Sequence, residues 1–248
     1  MKEIMVIVKK DLQETVRNKV FLLSIAVTIF LAYYMLNNMK NTIGTLLNTN
    51  AGVEPAVLIQ PIIDVTLFIL ALLTATYFSS LISSYTLLIE KTKHSLESLL
   101  CTPLSLKQFW FGKTMSMFIP SIVIGFLFSI AAFCALNIFI ISPKVGYWIY
   151  PGAASLVAIL IVTPAIVLFI SALFYLLQLI IANVRTINII FMCVILVAVN
   201  ILVLGPVIST SSWAIVFISL GAAVILGLAD LFLSRLLTKE RIVLSSKG

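Results

Sequence analysis

The chain has 248 residues, of which 62% are hydrophobic and only 10% charged, and it carries a net charge of +7. An ordinary soluble domain is about 25% charged, and one this apolar would expose patches larger than a monomer tolerates. A soluble enzyme and an intrinsically disordered segment are excluded, which leaves a polytopic membrane protein whose basic excess has to be placed before it is read as a nucleic-acid signal.

In residues 1–19, Ile4, Ile7, Val8, Leu12 and Val16 recur at helical spacing, with Lys9, Lys10, Asp11, Glu14 and Arg17 on most of the other face. The pattern predicts an amphipathic helix in the inner interface with an elbow near Asn18, or a charged lead-in that only sets topology. No small-x-small cleavage site follows the first apolar run, so that run is expected to be a retained span rather than a signal peptide. Val20 to Met39 is uncharged for 20 residues, about the length of one crossing. The next runs are Val65 to Ile89, with Asp64 at its outer edge just after Pro61, and Thr114 to Pro143. Val145 to Val184 opens with a turn-like Gly146 to Gly152 segment and leaves a helix near Ala153 to Ala182, in which Pro164 predicts a kink and Thr163 a compensating hydrogen bond. Thr186 to Ala229 is 44 residues long, roughly 66 Å as one helix. It must therefore fold back, and Gly205-Pro206 followed by Ser209 to Ser212 supplies the break.

The expected fold is an all-α polytopic membrane protein with a single permease-like domain over 1–248 and six spans at about 20–39, 62–89, 113–142, 153–182, 187–204 and 212–234. Continuous apolar runs argue against a barrel, which would alternate in stretches of roughly ten residues. With the N-terminus inside, fourteen of the sixteen Lys and Arg fall on inner segments and only Lys40 and Lys144 outside. That asymmetry predicts N-in/C-in. The inner segments carry the whole +7, because Lys40 and Lys144 are balanced by Glu54 and Asp64. The charge is thus a topology signal, placed where anionic headgroups would meet it, and not a nucleic-acid footprint. Cys101, Cys134 and Cys193 are scattered and odd in number, with neither a disulfide framework nor metal spacing.

The inner loop from Glu90 to Lys113 reads EKTKHSLESLLCTPLSLKQFWFGK, far longer than a helical hairpin needs. Leu96, Leu99 and Leu100 line one side of a short helix that Pro103 stops. Ser105 stands three residues before Gln108, a capping-box spacing that starts a new helix at about Leu106. Such a helix suits either a groove on a cytoplasmic partner or the lipid headgroups.

This loop resembles the signature of type-2 ATP-binding-cassette (ABC) exporter permeases. The resemblance rests on Glu90, Lys91, Leu96, Glu97, Leu99, Leu100, Thr102, Pro103, Leu104, Ser105, Gly112 and Lys113, with Ser95 for the usual Thr and His94 where Gly is usual. The N-terminal amphipathic helix and the six-span plan agree with it along the whole chain. The resemblance implies a coupling helix, with Glu90, Lys91, His94, Leu96, Glu97, Leu99, Leu100, Thr102 and Pro103 as the ATPase-coupling residues. It further implies two cytoplasmic ABC ATPase subunits that bind ATP and Mg²⁺, a second permease copy or a homologous permease, surrounding membrane lipids, and a prokaryotic cell membrane. No cofactor is expected in this chain. Gly112-Lys113-Thr114 imitates the end of a phosphate-binding loop, but Lys107 occupies the place of its first Gly and the segment opens an apolar span. The short Gly205 to Ser212 link departs from relatives with longer re-entrant segments there.

Within the spans, the second is rich in hydroxyls, and Thr76, Ser80, Ser83 and Leu87 share a face. Small hydroxyl residues either pack helices closely or line a moderately polar pathway. The resemblance places the second and fifth spans beside the pathway, which makes Thr76, Ser80, Ser83 and Asn200 the candidate pathway residues. Asp64 is expected to be a solvated carboxylate at a helix start, or else to meet substrate at the exit, and Asp230 to pair with Arg235 or Arg185. Gln178 and Asn183 sit toward the inner end of the fourth span. The competing function is an ion-coupled secondary transporter, which would usually need a midplane carboxylate or paired broken helices. An intramembrane enzyme has little support: the single histidine, His94, lies in the loop, and no catalytic residues or metal ligands are gathered.

Overall fold

The computed structural model describes residues 13, 19–49, 54–92, 106–180, 186–187, 189–190, 193 and 212–235, and these form helices and no strand. We number the helices α1 (Lys19–Thr49), α2 (Pro55–Thr92), α3 (Leu106–Val145), α4 (Ala153–Ile180) and α5 (Ser212–Ser234). Among the described residues, four helices are long and apolar enough to cross a membrane, namely Pro55–Lys91, Leu106–Val145, Ala153–Ile180 and Trp213–Ser234. The chain is an all-helical, multi-pass membrane protein. Residues 1–12, the fifth expected span at 187–204 apart from a few positions, and residues 205–211 of the expected turn lie outside the described residues.

Side-chain contacts set the directions of the helices. Glu90 of α2 pairs with Lys113 of α3, and Ser129 Oγ donates to the Leu67 carbonyl at 3.4 Å, so α2 and α3 run antiparallel. Gly125 lets them close up, for a Cβ there would sit 2.9 Å from Ala75 Cβ and 3.0 Å from the Ala71 carbonyl. Asp64 meets Gly152 at one end of α4 and Ser84 meets Gln178 at the other, so α2 and α4 are parallel. Trp213 shares a cavity wall with Gly152, and Gly227 lies under the ring of Phe169, which makes α5 parallel to α4. Phe21 packs edge-on to Phe78 at 5.8 Å while Lys144 Nζ lies 3.5 Å from the Lys40 carbonyl, so α1 runs against α2.

The bundle interior mixes large apolar residues such as Ile63, Leu67, Phe78 and Phe174 with small polar ones, and its outside is coated by large apolar residues. Ser116, Ser121, Ser129 and Ser171 are buried, whereas Phe30, Phe139, Phe217, Ile225 and Phe232 are exposed. Lipid tails are as apolar as leucine, so close packing of small residues holds such helices together rather than water exclusion. Tyr147, Trp148 and Tyr150 are exposed in the link between α3 and α4, and Phe133 packs against both Trp148 and Tyr150. An aromatic cluster of this kind suits a membrane–water boundary.

Two π-helical turns, Asn137–Ile141 and Ala158–Val162, lie before and after that link along the chain. In the second, the Thr163 N–H and its Oγ1 both reach the Ala158 carbonyl, the latter at 3.1 Å. The helix thus absorbs Pro164 by widening one turn, and Thr163 makes the hydrogen bond expected of it. In the first, Asn137 is fully buried; its Nδ2 donates to the Phe133 carbonyl at 3.2 Å and its Oδ1 accepts the Ile149 N–H at 3.0 Å. Asn137→Leu would leave that amide without its acceptor, and we expect a loss of about 1–3 kcal/mol, read as a lower unfolding temperature in detergent. An unfolding temperature equal to the wild type would show that water replaces the side chain.

Two helices extend beyond the uncharged runs of their expected spans: α1 continues past Lys40 to Thr49, and α2 begins at Pro55 rather than near 62. Helix α3 begins at Leu106, ahead of the span expected from 113 and where the capping-box spacing starts a helix. In α1, Ile43 is buried and Thr42 and Thr45 return their hydroxyls to backbone carbonyls, so the chain stays helical. Pro55 starts α2 at a position where its missing N–H costs nothing. Asp64 and Lys113 are each partnered inside the bundle, so neither marks the point where a helix enters water.

Candidate functional site

The most connected polar cluster joins the end of α2, the start of α3 and the end of α4. The Lys113 ammonium forms a hydrogen-bonded ion pair with Glu90, with side-chain exposures of 4% and 14%. Lys91 Nζ donates to the Gln178 carbonyl at 3.1 Å. The Gln178 side chain is fully buried; its Oε1 accepts from Ser83 Oγ and its Nε2 donates to Ser84 Oγ at 2.9 Å. Trp110 Nε1 donates to the Ala172 carbonyl at 3.2 Å, and Phe109 packs 6.5 Å from Tyr175. These contacts brace both stems of the 93–105 segment against α4. A charge pair held out of water and shared between two helices fixes their register firmly, because separating it exposes two desolvated ions.

Of the sequence-predicted coupling residues, Glu90 and Lys91 stand in this cluster. His94, Leu96, Glu97, Leu99, Leu100, Thr102 and Pro103 lie outside the described residues, as does Ser105. Helix α3 starts at Leu106, where the capping-box spacing places it. Lys113 and Ser84 belong to the cluster but were not among the predicted site residues. The Gly112-Lys113 dipeptide was the available signal for Lys113, read only as part of a motif; Ser84 carried none beyond the hydroxyl count of its helix.

Thr76, Ser80 and Ser83 are buried together on one face of α2, as their spacing predicts. Thr76 Oγ1 donates to the Leu72 carbonyl and Ser80 Oγ to the Tyr77 carbonyl, each at 2.8 Å, while Ser83 joins Gln178. Within one chain they act as close-packing residues whose hydroxyls are already engaged. Asn200 lies outside the described residues.

Two acidic residues depart from expectation. Asp64 is not a solvated helix-start carboxylate but is 5% exposed in the body of α2. Its Oδ1 accepts the Gly152 N–H at 2.8 Å, at the open N-terminus of α4, and its own carbonyl accepts from Ser155 Oγ at 3.3 Å. The unsatisfied amides at a helix start draw a carboxylate even from a neighbouring helix. Gly152 suits the close approach, since a Cβ there would come within 2.9 Å of Asp64 Oδ2 and the carboxylate would have to shift. Asp230, in turn, does not pair with Arg235, which lies five residues along the helix and about 140° around its axis. Asp230 is 4% exposed, and neither carboxylate oxygen has a hydrogen-bond partner among the described residues; Arg185 lies outside them.

The described Cys134 and Cys193 are free thiols, and no trio of His, Cys, Asp or Glu is gathered among the described residues. No family model, no curated protein and no solved structure matches the chain.

Proposed function

We propose that the chain is the membrane-spanning permease subunit of an ATP-driven ABC exporter, moving a substrate out of the cytoplasm with ATP hydrolysed by a separate ATPase. The observation that carries this reading is the pairing of a motif with a brace. The 93–105 segment holds the Leu96, Leu99 and Leu100 stripe and the Thr102-Pro103 stop, and its two stems are locked by the Glu90–Lys113 ion pair and tied to α4 through Lys91. A docking helix on braced stems can pass a push to the bundle rather than bend. The complex consists of two such permeases and two ATPase subunits, which bind the ATP and Mg²⁺, in a prokaryotic cell membrane.

The six-span N-in/C-in plan belongs to the same proposal. Helices α4 and α5 run parallel, so the chain between them has to return to the end where α4 began. An odd number of crossings between the two satisfies that, and the apolar 187–204 stretch is long enough for one. The ion-coupled secondary transporter is favoured by one feature, the buried Asp230, whose carboxylate has no hydrogen-bond partner among the described residues.

Substitution in the docking stripe tests the reading. Leu99→Asp or Leu100→Asp should leave the chain in the membrane but reduce co-isolation of the ATPase at least ~10-fold, the scale of losing one buried anchor residue. ATPase association and ATP-dependent transport unchanged in both variants would overturn the coupling role.

A further inference from the structure

A cavity of about 570 Å³ opens between the start of α3, the middle of α4 and the second half of α5. Trp110, Phe111, Ala165, Phe169, Ala223 and Leu228 are among its walls, and Asp230 is the one ionisable residue among the described lining residues. The other polar groups of the wall are already engaged: Trp110 Nε1 donates to the Ala172 carbonyl, and Thr114 Oγ1 to the Trp110 carbonyl at 2.9 Å. Asp230 is 4% exposed, with both oxygens buried and unpartnered among the described residues.

We propose that this cavity binds a lipophilic amine, with its ammonium on the Asp230 carboxylate and its apolar body against Trp110 and Phe169. A buried carboxylate without donors is costly unless a cation meets it. The described residues of the wall offer no such cation, while their apolar and aromatic faces match a hydrophobic body and the cavity's size matches a small amphiphile. The Trp110 indole, which lines the same cavity, adds an aromatic surface of the kind that attracts an alkylammonium. The occupant is a free small amphiphile and not a lipid headgroup, because the walls around Asp230 are apolar and offer no donor for a phosphate. The inference is independent of the exporter reading, since it concerns binding alone.

The test uses the full-length chain in phosphatidylcholine nanodiscs, with 1-pyrenemethylammonium as probe and 1-pyrenemethanol as its neutral counterpart. The wild type should bind the ammonium at least ~10-fold more tightly than the alcohol, the scale of one desolvated charge pair. Asp230→Asn should abolish that preference and leave binding of the alcohol intact, which also shows that the variant is folded. Ala223→Leu, which narrows the cavity, should weaken both probes. Equal affinity of the wild type for the two probes, or a preference that survives Asp230→Asn, would overturn the proposal. Loss of the ammonium preference when phosphatidylethanolamine is added to the nanodiscs would reassign the site to a lipid headgroup and overturn the small-amphiphile occupant.

Discussion

Lys113→Met is expected to cost about 3–5 kcal/mol of stability, because it removes the partner of a carboxylate held out of water between two helices. The pair joins Glu90 and Lys113 with little exposure of either side chain, so solvent cannot take the place of the missing ammonium without opening the α2–α3 contact. Glu90→Gln should be milder, since the amide keeps an acceptor for the lysine, and the charge swap Glu90→Lys with Lys113→Glu should recover part of the loss. Reversible unfolding in mixed micelles reads all three. A Lys113→Met protein as stable as the wild type would show that the stems of the loop are not held by this pair. In the transport assay the same substitution should depress ATP-coupled activity more than membrane insertion, since it loosens the brace and leaves the docking stripe intact.

Gly125→Leu is expected to separate α2 from α3. The first side-chain carbon alone would sit 2.9 Å from Ala75 Cβ and 3.0 Å from the Ala71 carbonyl, and neither a methyl fixed to the backbone nor a carbonyl can turn aside. Overpacking of this kind costs about 1–3 kcal/mol when neighbours can shift, and more when they are backbone. Gly221→Ala is the matched control: nothing lies within 4 Å of its added carbon, so the gain in helix propensity of about 0.5–1 kcal/mol should dominate. Unfolding temperatures that move in opposite directions for the two glycines would confirm the close approach, whereas two neutral outcomes would contradict it.

The described helices Ala153–Ile180 and Ser212–Ser234 lie on the fourth and sixth uncharged stretches, 153–182 and 212–234. Elsewhere an uncharged run is a poor guide to a helix end for one physical reason: a charge ends a helix only if it seeks water. Asp64 and Lys113 find partners within the bundle, on the Gly152 amide and on Glu90, so α2 and α3 run on past them. The π turns at Asn137 and ahead of Pro164 were only partly legible, because a widened turn depends on which carbonyl a side chain reaches. Which face of each helix points inward was hard to read, since in lipid the outside is as apolar as the inside; only the Thr76, Ser80 and Ser83 spacing gave a face. The Gln178 network across α2 and α4 could not be anticipated, for it depends on residues some ninety positions apart. The unpaired state of Asp230 is likewise a matter of packing.

The central claim is that this bundle works on ATP hydrolysed elsewhere. Isolating the intact chain from its native membrane under mild conditions, and assaying the preparation for ATP hydrolysis in proteoliposomes, tests it most directly. The account predicts a stoichiometric soluble ATPase in the preparation, with hydrolysis that depends on Mg²⁺ and falls away when Leu99→Asp replaces the wild type. A chain that isolates without any ATPase and moves substrate down an imposed proton or sodium gradient without ATP would contradict it.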